Sequence, residues 1–234
     1  MNIFKEFIEL TKMEKLIWSL SVVVISGSFF LFGESNKLIL IASLIGVTSL
    51  IFVAKGNVLG QILMVIFSLI YGLISYDFRY YGEMITYLGM TAPIAVLSIV
   101  SWVRNPFAEK KAEVKVAEIT KGKLYLMLIL TLLVTYGFYF VLAYFKTNNL
   151  FLSTISIATS FMASYLMFFR ISFYALAYAA NDIVLILLWI LATKENPTYF
   201  SMVICFIMFL ANDIYGFINW ARMKQNQEVV TKAA

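Results

Sequence analysis

The chain has 234 residues, of which 62% are apolar, 17% aromatic and only 13% charged, about half the charged share of an ordinary soluble domain. With a mean hydropathy of +0.88 this excludes a soluble globular enzyme. The absence of histidine removes the side chain most used for proton transfer near neutral pH and the commonest zinc ligand, and the single Cys205 permits no disulfide framework within one chain.

Residues 1–15 lack a small-residue cleavage site and run straight into the first apolar segment, so a cytoplasmic amphipathic helix is expected instead of a signal peptide. Ile3, Phe4, Phe7, Ile8 and Thr11 share one of its faces, with Lys5, Glu6, Glu9 and Lys12 elsewhere. A membrane crossing needs about 20 mostly apolar residues. Eight such intervals follow: Leu16 to Gly33, Lys37 to Lys55, Gly56 to Tyr76, Met84 to Val103, Leu124 to Phe145, Thr147 to Phe169, Ile171 to Thr193 and Pro197 to Ala221. They are continuously apolar instead of alternating in period two, which argues against barrel strands. Pro93 predicts a kink near the middle of span four. Residues 104–122, rich in Lys, Glu and Ala, read as a solvated connector, and 224–234 as a cytoplasmic tail.

The charges check the span count. With eight spans and the N-terminus inside, the cytoplasmic segments hold 14 of the 18 basic residues, and the opposite side keeps Lys37, Arg79, Lys146 and Lys194. The +5 balance is therefore a positive-inside signal and not a nucleic-acid surface. An internal repeat accompanies it: Ser101-Trp102-Val103-Arg104 ends span four as Asn219-Trp220-Ala221-Arg222 ends span eight. Spans two to four (about 37–104) and six to eight (about 149–223) then form two three-helix repeats around a linker span at about 123–146. The odd linker makes the repeats parallel. The expected fold class is all-α: one polytopic membrane domain over 16–223, with eight helices in a 1+3+1+3 plan.

An ionisable side chain inside a span marks a functional site unless a partner neutralises it. Asp182 is one such residue. Tyr174, Tyr178, Asp182 and Trp189 share a helical face, with Asn181 beside it, offering aromatic surfaces for a flat ring and acceptors for hydroxyls or a cation. Span eight repeats the dipeptide as Asn212-Asp213; Asp213 is alternatively a structural partner of Arg170 or Arg222. On span three, Asn57 and Gln61 carry amides that need partners in lipid, and Tyr87 begins the polar stripe of span four. These ten residues are the expected substrate-binding set. No catalytic residue, metal site or cofactor is expected: there is no P-loop, and neither acid has the Gly-x-Gly-Asp context of an intramembrane aspartyl protease.

The Lys55-x-Asn57-x-x-Gly60 opening of span three, the Tyr80-Tyr81-Gly82-Glu83 turn, the Trp102-x-Arg104 end and the Asn181-Asp182 helix resemble the PnuC family. The closing Asn212-Asp213-x-Tyr215-Gly216-x-x-Asn219-Trp220-x-Arg222-Met223 is the most specific part of a resemblance running from about Trp18. The resemblance implies uptake of a nucleoside-like vitamin, typically nicotinamide riboside, across the bacterial inner membrane by facilitated diffusion, made one-way by a cytoplasmic kinase. It also implies parallel three-helix repeats like those of SWEET sugar transporters, and a possible homotrimer. Nicotinamide riboside carriers of the family have Trp-x-x-Trp-x-x-x-Asn in span seven, whereas here the stretch reads Tyr174-Ala-Leu-Ala-Tyr178-Ala-Ala-Asn181-Asp182. Thiamine, riboflavin and deoxynucleosides, taken by other branches, stay open. So does a role as the substrate-binding subunit of a multi-part importer.

Overall fold

The computed structural model describes residues 3–34, 36–77, 81–107 and 110–233, so Arg79 and Tyr80 of the expected outer loop lie outside the described residues. The helices are α1 (Ile3–Ile8), α2 (Lys12–Leu31), α3 (Lys37–Ala54), α4 (Val58–Asp77), α5 (Tyr81–Thr86), α6 (Ala92–Val103), α7 (Lys121–Tyr144), α8 (Leu150–Phe168), α9 (Tyr174–Ala192) and α10 (Phe200–Ala233). A π-helical turn, Tyr87–Thr91, joins α5 to α6 as one crossing. Among the described residues eight helical stretches are long and apolar enough to cross a membrane, as the charge-free intervals predict.

Local chemistry sets the boundaries. Thr11 and Glu14 form a capping box, so α2 begins four residues before Leu16. Pro93 cannot sit under the carbonyl four residues back, and the π turn opens the helix at that point: the backbone N–H of Ala92 reaches the carbonyl of Tyr87. The expected kink thus takes the form of a bulge one turn ahead of the proline.

Residues 104–122 differ from the expected solvated connector. They contain a hairpin, β1 (Pro106–Phe107) and β2 (Lys110–Val114), and pin two helix ends together. The N–H of Val114 donates to the Gly56 carbonyl (3.0 Å) and that of Ala117 to the Arg170 carbonyl (2.9 Å). Gly56 and Arg170 both have left-handed backbones (φ 70° and 60°) and both terminate a span, after α3 and α8. Helix α10 continues beyond the last crossing to Ala233 and packs against the 104–122 segment. Buried Gln227 donates to the Val114 carbonyl (3.0 Å) and accepts from the Val116 N–H (2.8 Å).

The core runs between α3, α4, α9 and α10 through Val47, Leu50, Phe67, Leu185 and Phe206. Outside it, α7 leaves Leu132, Leu133, Tyr136 and Phe140 exposed, an outward surface suited to lipid. At the end carrying both termini, α1 turns Phe7 onto Trp18 and Phe52 while Glu6 accepts a hydrogen bond from the Asn57 amide. Phe4 and Ile8 stay exposed, as the amphipathic pattern expects.

Candidate substrate site

A cavity of about 280 Å³ opens at the end opposite the termini, close to the lower limit of about 300 Å³ for pockets that hold small ligands. Glu83, Thr86 and Tyr87 form one wall; Asn181, Leu185 and Trp189 of α9 face them, and Ser153, Ser156 and Ser160 of α8 close the third side. The turns after α7 and α9 contribute Lys146, Asn148 and Glu195. The Asn181 carbonyl oxygen accepts from Ser156 (3.0 Å) and Thr159 (2.9 Å), which fixes the amide and leaves its NH₂ for a ligand acceptor. Tyr87 is braced by Tyr71 (4.5 Å between ring centroids) and Phe67 (5.7 Å), while the Tyr71 hydroxyl donates to Glu83 (3.0 Å).

Beneath the cavity lies a buried polar column. The Asp182 and Asp213 carboxyls meet in hydrogen-bonding contact, and one Asp182 oxygen has no partner among the described residues. Asp213 therefore meets the other acid of the pair, not Arg170, whose guanidinium instead holds Ser101 (2.9 Å) and the Lys115 carbonyl (3.1 Å). Below them the Tyr178 hydroxyl bonds Ser164 (3.1 Å), and Tyr174 packs on Trp220 (4.8 Å).

The end carrying the termini is shut by a reciprocal lock. Trp102 and Trp220, both fully buried, lie side by side at 5.5 Å. The Trp220 indole donates to the Val53 carbonyl (2.9 Å) and Asn219 to that of Ala54 (2.9 Å), the last two residues of α3. The Trp102 indole donates to the Met167 carbonyl (3.2 Å) and Ser101 to that of Phe168 (2.9 Å), the last two residues of α8. Each half of the bundle thus caps a helix of the other, satisfying carbonyls that a helix end leaves bare.

Of the ten expected site residues, Tyr87, Asn181 and Trp189 line the cavity, and Tyr174, Tyr178, Asp182 and Asp213 form the column below it. The other three sit elsewhere. Asn57 caps the Leu59 N–H and bonds Glu6 at the terminal end; Asn212 reaches Ser21 on α2 (3.0 Å); Gln61 is buried with its NH₂ unpartnered among the described residues. Sequence reasoning missed Glu83 and the α8 serines as a cavity wall. Glu83 bounds the apolar interval of span four and so reads as an edge, although an acid within one turn of a span is itself a signal.

An eight-helix bundle with a polar, aromatic-walled cavity at one end and a tryptophan closure at the other is the plan of a membrane transporter. The fold agrees with a solved one: a crystal structure of the vitamin B3 transporter PnuC superposes with a TM-score of 0.80 at 23% identity, over 93% of this chain and 94% of that one. The sequence pattern of the nicotinamide mononucleotide transporter family matches residues 36–222, and the chain belongs to that family, the PnuC family of vitamin transporters. Among curated relatives, the nicotinamide riboside transporter PnuC of Neisseria mucosa is 25% identical over 211 residues, 88% of this chain and 80% of its own. Its namesake from Haemophilus influenzae is 22% identical over 220 residues, 94% of each chain.

Proposed function

We propose that this chain is an inner-membrane uptake carrier for nicotinamide riboside or a related nucleoside, working by facilitated diffusion and not as an enzyme. The observation that carries the reading is the cavity: Tyr87 and Trp189 offer aromatic faces to a flat ring, and the Asn181 amide and the α8 serines offer hydrogen bonds to a sugar. With both termini in the cytoplasm, as the distribution of basic residues favours, the cavity opens outward and the tryptophan lock closes the inner face.

Alternating access follows from the reciprocal bonding. Repeats at about 37–104 and 149–223 rock against each other about the lock, with the 123–146 helix as linker, and the substrate passes from the cavity down the Tyr178–Asp182–Asp213 column. Net import then requires a cytoplasmic kinase that phosphorylates the arriving substrate. Gln61 and Asn212 meet the substrate on its way inward, as Gln61 holds an unspent NH₂ and Asn212 an unspent carbonyl oxygen.

Uptake of labelled nicotinamide riboside into liposomes containing this chain alone tests the proposal. Equilibration of the label to equal inside and outside concentrations is expected. Retention of stoichiometric ligand without equilibration would identify a binding subunit instead, and transport of thiamine or riboflavin but not the nucleoside would move the substrate within the family.

A further inference from the structure

The cavity contains an acid, Glu83, that stands outside the ten residues expected to bind substrate. Glu83 stands at the head of the fourth crossing, partly buried, and among the described residues its carboxylate accepts one hydrogen bond, from the Tyr71 hydroxyl (3.0 Å). Tyr71 is itself 5% exposed and wedged between Phe67 and Tyr87, so the carboxylate is positioned by a rigid aromatic layer and not by a mobile loop. One bond leaves most of its acceptor capacity unspent. No Lys or Arg forms an ion pair with it among the described residues. Of the other charged groups lining the cavity, Lys146 and Glu195 sit on the turns at its mouth and oppose each other in sign. Among the described residues Glu83 is therefore the acid of the cavity wall itself, with the Asp182–Asp213 pair buried beneath it.

The neighbours of that charge fit one ligand chemistry. Tyr87 and Trp189 line the same space as Glu83, and a ring with a fixed positive charge is attracted both to their faces and to the carboxylate. A neutral ring of the same shape keeps the stacking and loses the ionic contact. We infer that Glu83 is the specificity-determining residue of the cavity, selecting a solute whose ring carries a permanent positive charge, a pyridinium or thiazolium, over its neutral counterpart. This rests on the cavity being the substrate site of a carrier, and it narrows that reading from nucleosides in general to cationic ones.

The test is calorimetry on the purified full chain with two ligands of nearly equal shape: nicotinamide riboside, whose pyridinium is charged, and its dihydro form, whose ring is neutral. Wild type should bind the charged form at least tenfold more tightly. Glu83→Gln should weaken the charged form by about 10- to 100-fold, the range for losing one charge-assisted contact, and leave the dihydro form within about twofold. Tyr71→Phe, which removes the positioning bond but keeps the charge, should reduce the preference for the cation without abolishing it; if Glu83→Gln fails to fold, a Tyr71→Phe preference equal to that of wild type overturns the charge selection. Equal affinity of wild type for both forms, or equal losses of both in Glu83→Gln, would overturn the charge selection while leaving a nucleoside carrier standing. Binding of neither form by a folded wild type would overturn the substrate reading itself.

Discussion

The same substitution, glycine to alanine, should act with opposite sign at two positions in this bundle. At Gly60 in α4 a Cβ would stand 2.5 Å from the backbone nitrogen of Val53 and 2.9 Å from the carbonyl carbon of Phe52. Those are backbone atoms at the end of α3, so no rotamer change relieves the overlap, and the Gly60 carbonyl is also tied to Ser49 (2.8 Å). Overpacking of this kind costs about 1–3 kcal/mol, and the better helix propensity of alanine offsets about 1 kcal/mol. Because the overlap is with backbone atoms the upper end of that cost applies, and Gly60→Ala should destabilise by about 2 kcal/mol net. At Gly27 in α2 the new methyl meets nothing within 4 Å, so only the propensity gain of about 1 kcal/mol remains. At about 2–4 °C per kcal/mol for a chain of this size, the difference of about 3 kcal/mol should separate the two variants by roughly 6–12 °C in thermal unfolding in a single detergent, with wild type between them. Because Val53 supplies the carbonyl that receives Trp220, Gly60→Ala should also slow uptake, whereas Gly27→Ala should not. A Gly60→Ala protein melting at or above wild type would refute the close helix approach on which this reasoning stands.

Trp102→Phe and Trp220→Phe should each cost about 1–2 kcal/mol through the lost indole bond. The double variant should cost about 0.5–1 kcal/mol less than their sum, because the rings touch; strict additivity in a melting series would separate the two halves of the lock. Asp182→Asn keeps a hydrogen-bonding group opposite Asp213, so the protein should stay folded while uptake falls about tenfold, the scale of one lost hydrogen bond to a charged group; unchanged uptake in liposomes would take Asp182 off the path. The hydrogen bond and charge of Lys224 hold the exposed Glu118 carboxyl below its ordinary value of 4.5. That contact contributes above pH 4.5 and is lost as the carboxyl protonates below it. Proteolysis of the 104–120 segment should therefore accelerate at low pH, and the acceleration should vanish in Glu118→Gln.

Much of the architecture was legible because membrane insertion is a one-dimensional problem. Lys37, Lys55, Lys146 and Lys194 bound apolar intervals of the right length, and the helices fall where those charges place them, within a turn or so. The two Trp-x-Arg sequences meet in space, since Trp102 and Trp220 lie side by side and each donates to the end of a helix in the other half. The site was legible in part. The periodicity of Asn181, Asp182 and Trp189 fixed their helix and face but not whether that face meets water or another acid. The amides of Asn57 and Asn212 need partners in lipid, and the ones they find, Glu6 and Ser21, lie 51 and 191 residues away in sequence.

By itself the sequence determined the solvent, the number of crossings and the family, because each follows from local hydropathy and from short motifs. Only the tertiary structure decided which polar groups are satisfied and which remain open to a solute. It turned the 104–122 segment into a clasp between Gly56 and Arg170, paired Asp182 with Asp213, and placed Glu83 on the cavity wall. The physical reason is that a buried donor or acceptor takes its meaning from whatever atom lies within about 3 Å of it, and in a bundle that atom usually belongs to a helix far away along the chain.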